Sequence, residues 1–95
     1  MKLEDKLAAI RGPILVLGAS GFIGANLFHY LRKVRSDVTG VISRFPAWRL
    51  EGVPEQHVIS ADLLVESNIK DVVSGIQPQT VLDCAAYGAY SFQTE

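Results

Sequence analysis

The chain has 95 residues, 48% of them apolar, and a formal net charge of −1. That length fits one small domain with one modest core, and that apolar content excludes a disordered chain. The near-neutral charge removes any general electrostatic case for nucleic acid or a membrane surface, and Cys84, the sole cysteine, excludes an intrachain disulfide framework.

The first ten residues carry Glu4 and Asp5 and lack a long apolar core, so they do not read as a signal peptide. No apolar run approaches membrane-spanning length, and a soluble cytoplasmic protein is expected. Leu3, Leu7 and Ile10 recur at helical spacing and predict a short leading helix over residues 3–10, broken by Gly12-Pro13. Residues 14–18 read as a strand that is apolar throughout, as a strand covered on both faces should be.

Directly after it comes Gly18-Ala-Ser-Gly-Phe-Ile-Gly24, which opens an amphipathic stretch over residues 22–34. Strand, glycine turn and helix start in succession make a place for a diphosphate. The first glycine allows the sharp turn, the second lets the backbone approach the phosphates, and the third lets helix and strand pack closely. The first-turn N–H groups of a helix have no internal partners, and its dipole favours negative charge there. Phe22 and Ile23 supply two of those N–H groups. The Ser20 hydroxyl either contacts phosphate or favours the turn. Ile23, Leu27, Tyr30, Leu31 and Val34 make the expected core stripe of this helix.

A second strand follows over 38–43, weakened by Thr39 and Gly40. Residues 45–54 read as a loop broken by Pro46, Gly52 and Pro54, with Trp48 expected to cover the sheet edge. A short third strand covers 56–60, a second long helix 64–76, and Pro78 ends it. A fourth strand covers 80–86. The alternation predicts an α/β fold, a Rossmann-like parallel sheet in order 3-2-1-4 with helices on both faces, part of a doubly wound fold. Such a sheet binds its ligand at the carboxyl ends of its strands, where strand order reverses. That rule gathers residues 18–24, 43–44, 60–63 and 85–88 along one edge.

Arg32, Lys33, Arg35, Arg44 and Arg49 fall in one stretch with Asp37 alone against them. Helix C-termini favour cations, which accounts for the first three but not for Arg44. Arg44 follows Ser43 at the end of the second strand. His29 and His57 lack the spacing of a metal site and read as structural, and no metal is expected. Cys84, flanked by apolar residues, reads as a buried inert thiol rather than a nucleophile.

Val16-Leu-Gly-Ala-Ser-Gly-Phe-Ile-Gly24, Ala61-Asp-Leu63 and Val81-Leu-Asp-Cys-Ala-Ala-Tyr-Gly88, in that order, resemble the N-terminal half of the extended short-chain dehydrogenase/reductase family. They are most similar to its nucleotide-sugar epimerases and dehydratases. The resemblance implies that Gly18, Gly21 and Gly24 turn under the diphosphate of NAD(P). It implies that Asp62, with Leu63, meets the adenine amino group, and that Ala85 and Ala86 run beside the cofactor's phosphates and ribose. Many NAD-using members carry an acid where this chain has Ser43-Arg44, so NADP is favoured over NAD, with Arg49 as a second phosphate contact of lower weight. Where the family often has histidine, this chain has Asp83, which must find a partner or solvent.

The family's Tyr-x-x-x-Lys pair is absent: Tyr30, Tyr87 and Tyr90 are followed four residues later by Val34, Ser91 and Thr94. The expectation is a single N-terminal dinucleotide-binding half-domain over residues 1–95, with no catalytic residues and with the catalytic and substrate-binding part absent. It would be inactive alone and meet a nucleotide-sugar only in a full-length parent. Its fourth strand would be an exposed sheet edge open to self-association. The rival reading is a non-enzymatic NADP-binding module for redox sensing or regulation. A methyltransferase-like site is disfavoured because Leu17, not an acid, precedes the glycines, and a Walker-type loop is excluded because no Gly-Lys-Ser/Thr follows them.

Overall fold

The computed structural model describes residues 3–43, 47–62 and 64–84. In chain order it contains α1 (Leu3–Ala9), β1 (Ile14–Leu17), α2 (Phe22–Val34), β2 (Val38–Ile42), β3 (Val58–Ser60), α3 (Glu66–Ile76) and β4 (Thr80–Asp83). Two 3-10 turns, Trp48–Leu50 and Glu55–His57, lie between β2 and β3. The four strands form one parallel sheet in the order β3-β2-β1-β4. The α/β class and the strand order are those the alternation predicts.

Period-two side chains place two cores on the two faces of the sheet. Ile14, Val16, Val38, Ile42 and Val58 face α2 and pack with Ala25, Phe28 and Leu31. Leu15, Leu17 and Val41 face α3 and pack with Ile59, Ala61, Val72 and Ile76. Leu15 sits opposite Thr39 on one side and Val81 on the other, so the central strand β1 is covered on all sides. This explains its unbroken run of apolar residues. The stripe of α2 is rotated from the predicted one. Phe28 is fully buried, whereas Ile23 is 48% exposed. The apolar residues of this helix cover a wide arc with Ile23 near one margin and Phe28 at the other, so spacing alone does not choose which margin is buried. Gly40, a weak strand former, is accommodated because Phe28 and Ala19 close over the space a side chain would fill.

Several ends differ from expectation for local reasons. Residues 56 and 57 belong to a 3-10 turn, so β3 starts at Val58. Leu64 gives its N–H to the Asp62 carboxylate and Val65 is extended, so α3 begins at Glu66 rather than at 64. β4 stops at Asp83, and residues 85 and 86 lie outside the described residues. Asp83 is exposed, which avoids the cost of burying a carboxylate.

Arg35 joins three elements. Its guanidinium holds the Asp37 carboxylate in two parallel bonds, Nε to Oδ1 at 2.6 Å and Nη2 to Oδ2 at 2.8 Å. Its Nη1 donates to the carbonyls of Leu7 and Ile10 at 2.9 and 2.6 Å. Those two carbonyls lie in the last turn of α1 and just past it, where a helix leaves carbonyls short of donors; the Leu7 carbonyl also accepts from Ile10 N–H at 3.3 Å. The pair holds the Asp37 carboxyl below its ordinary value, chiefly through the hydrogen bond from Arg35. Its stabilisation is therefore complete above the ordinary aspartate value of about 3.9 and is lost as pH falls through the lowered folded value. We expect Arg35→Ala to cost about 1–2 kcal/mol, a fall in Tm of about 5–15 °C. Asp37→Asn should also flatten the acid side of the stability–pH profile in thermal melts. An unchanged profile would mean the pair contributes nothing.

Candidate functional site

β1 leads through α2 to β2 on one side, and the chain then returns through α3 to β4 on the other. The carboxyl end of β1 is therefore the switch point of the sheet, and the glycine turn begins there. Main-chain bonds continue the ladders past the strand ends. Gly18 and Ala19 both donate to the Val41 carbonyl at 3.0 Å, Ala61 donates to Ile42 at 2.8 Å, and Cys84 donates to Leu17 at 2.9 Å. These bonds bring the glycine turn, Ser43, Ser60 to Asp62, and Cys84 to one edge.

Gly18 has φ +76°, a region that L side chains rarely adopt. Gly24 packs its α-carbon against the Gly18 carbonyl, and a β-carbon there would collide with that oxygen and its carbon. At Gly21 a β-carbon would meet only the Gly18 oxygen, at an ordinary 3.6 Å, so that side of the turn is open. Gly21 is also the N-cap of α2, in extended backbone and with no side-chain cap. The first turn of α2 holds no acid. The N–H groups of Phe22, Ile23 and Gly24 thus lie at the positive end of a 13-residue helix beside an open glycine. This is a cradle for an oxyanion.

Arg49, from the 3-10 turn after β2, comes to the same place. Its Nη1 donates to the Ser20 carbonyl at 3.3 Å, and its guanidinium lies 4.4 Å from the centre of the Trp48 ring. His29 on α2 locks the turn, with Nε2–H donating to the Arg49 carbonyl at 2.6 Å. Arg49 has no ion-pair partner among the described residues, and four of its five donors remain. A cavity of about 510 Å³ lies beside it, with Phe22 and Trp48 on its rim, 70% and 75% exposed. Trp48 is therefore no cover for the sheet edge; it carries Arg49 instead.

His57 donates from Nδ1 to the Val38 carbonyl at 3.2 Å, so both histidines are held by main-chain oxygens. Cys84 is half-buried rather than buried, and its thiol is pushed up, first by burial and then by the charge of Asp83. A raised thiol is a poor nucleophile. Asp62 lies past the end of β3, with its Oδ1 accepting from Leu64 N–H at 3.0 Å. Of the sequence-predicted site residues, Gly18, Ser20, Gly21, Phe22, Ile23, Gly24, Ser43 and Asp62 are described and share this edge. Arg44, Leu63, Ala85 and Ala86 lie outside the described residues. The NAD dependent epimerase/dehydratase family matches residues 14–95.

The chain belongs to that family. Membership implies a dinucleotide cofactor, and the open, uncapped cradle fits its diphosphate. No curated protein and no solved structure shows significant similarity to the chain. No helix among the described residues is long and apolar enough to cross a membrane.

Proposed function

We propose that this family member is the NADP-binding half of an oxidoreductase that acts on nucleotide-sugars as an epimerase or dehydratase, inactive by itself. The observation that carries the reading is the uncapped start of α2 beside the open Gly21 at the switch point. In this reading Gly18, Gly21 and Gly24 shape the turn, and Phe22, Ile23 and Gly24 donate N–H groups to the diphosphate. Asp62 and Leu63 hold the adenine end, and Ala85 and Ala86 line the ribose path. The bound cofactor supplies hydride chemistry, while these residues bind and orient it. The cytoplasm is the proposed location. Self-association would run along β4, whose Val81 is 45% exposed.

NADP over NAD rests on the cations Arg44 and Arg49, with Ser43 a small neighbour in place of an acid. Arg49 is stacked and tethered and has no carboxylate partner among the described residues, which suits a 2′-phosphate. Titration should find NADPH bound about tenfold or more tighter than NADH, as one charge-assisted contact supports. Arg44→Glu and Arg49→Ala should each weaken NADPH and leave NADH nearly unchanged. Equal affinities that ignore both substitutions would remove the NADP assignment.

The second reading is a non-enzymatic NADP-binding module for redox sensing or regulation, which would use the same cradle without a catalytic pair. A Tyr-x-x-x-Lys encoded downstream of Glu95 decides for the enzyme.

A further inference from the structure

A second cavity, of about 350 Å³, opens at the carboxyl ends of β2 and β3 beneath α3. Its lining residues include Asp62, Asp71, Ser43 and Ser60 on the polar side and Ile59 and Val72 on the apolar side. No lysine or arginine lines it among the described residues. Two carboxylates repel a phosphate and accept hydrogen bonds only. The chemistry that fits is a hydrogen-bond donor such as an amino group, carried on a body with apolar surface to set against Ile59 and Val72. The cationic Arg49 and the helix amides lie at the glycine turn instead, so the edge separates a place for phosphates from a place for a base.

Asp62 is held on both sides of its α-carbon. Its carboxylate accepts from Leu64 N–H, and its main-chain carbonyl accepts from Val65 N–H at 3.1 Å and from Asn68 Nδ2 at 3.1 Å. Asn68 lies in the first turn of α3, on one face with Asp71 and Val72 three and four residues on. Its side chain ties the loop after β3 to that helix. We propose that Asn68 is a positioning residue, setting the Asp62 carboxylate to accept the exocyclic amino group of the cofactor's adenine. The inference rests on the dinucleotide reading above and deepens it.

The test compares NADPH with its hypoxanthine counterpart, in which an oxo group replaces the amino group, on the 95-residue chain. The unsubstituted chain should favour the adenine form by about tenfold, the gap expected of one hydrogen bond to a charged group. Asn68→Ala should shrink that ratio to about threefold or less with Tm nearly unchanged, and Asn68→Gln, which keeps the donor, should restore much of it. A ratio retained in Asn68→Ala would overturn the role given to Asn68. Equal binding of the two forms by the unsubstituted chain would overturn base reading by Asp62, and with it the proposal. Binding of neither form would sink the dinucleotide reading itself.

Discussion

Gly24→Ala is expected to lower Tm by about 5–25 °C and to abolish dinucleotide binding. The added β-carbon collides with the Gly18 carbonyl, which is main chain and cannot swing aside. Relief requires α2 to lift from the end of β1 or the turn to open. Either movement disturbs the packing of Ala25 and Phe28 on the sheet, and overpacking of this kind costs about 1–3 kcal/mol. A marginally stable domain of this size loses about 4–8 °C per kcal/mol. The same movement misaims the first-turn amides, so binding falls with stability. Thermal melts with parallel NADPH titrations would measure both; a variant that melts and binds like the original would show that the close approach has no consequence.

Gly21→Asp should separate the two properties. Its backbone, φ −77° and ψ 172°, suits any residue, and its β-carbon has room. Aspartate is a favoured N-cap, and its charge suits the helix start, so stability should hold or rise by a few tenths to about 1 kcal/mol. The carboxylate would then occupy the amides that the diphosphate needs and repel it. NADPH affinity should fall by about a hundredfold or more, since a like charge in contact costs several kcal/mol. A lowered Tm would contradict the structural account of this turn, and retained affinity would contradict the functional one.

The parts of this fold that were legible in the sequence are those fixed by local chemistry. α2 runs from Phe22 to Val34 as its flanks predict, because the glycine turn starts it and the cations of its last turn suit its end. β1 is legible because burial on both faces demands an unbroken apolar run. Strand order follows from the alternation of strands and helices together with the handedness of crossovers. What was not legible depends on distant partners. Arg49 reads in the sequence only as a lesser phosphate contact; its tether to Ser20, 29 residues away in sequence, comes from the fold. Arg35 reads as a helix-end cation, but its role is set by carbonyls 25 and 28 residues earlier. Phe28 and Ile23 have equal claims on the core until the sheet chooses between them. Asn68 carried no signal at all, since a polar residue early in a helix is ordinary; only the bond to the Asp62 carbonyl gives it meaning.

The central claim is that the bare amides at the start of α2 receive the cofactor's diphosphate. Amide proton–nitrogen correlation spectra during titration with NADPH test it residue by residue. The account predicts that Phe22, Ile23 and Gly24 show the largest saturable shifts, moving downfield as their N–H groups gain an anionic acceptor. Saturable binding that leaves those three amides in place would contradict it.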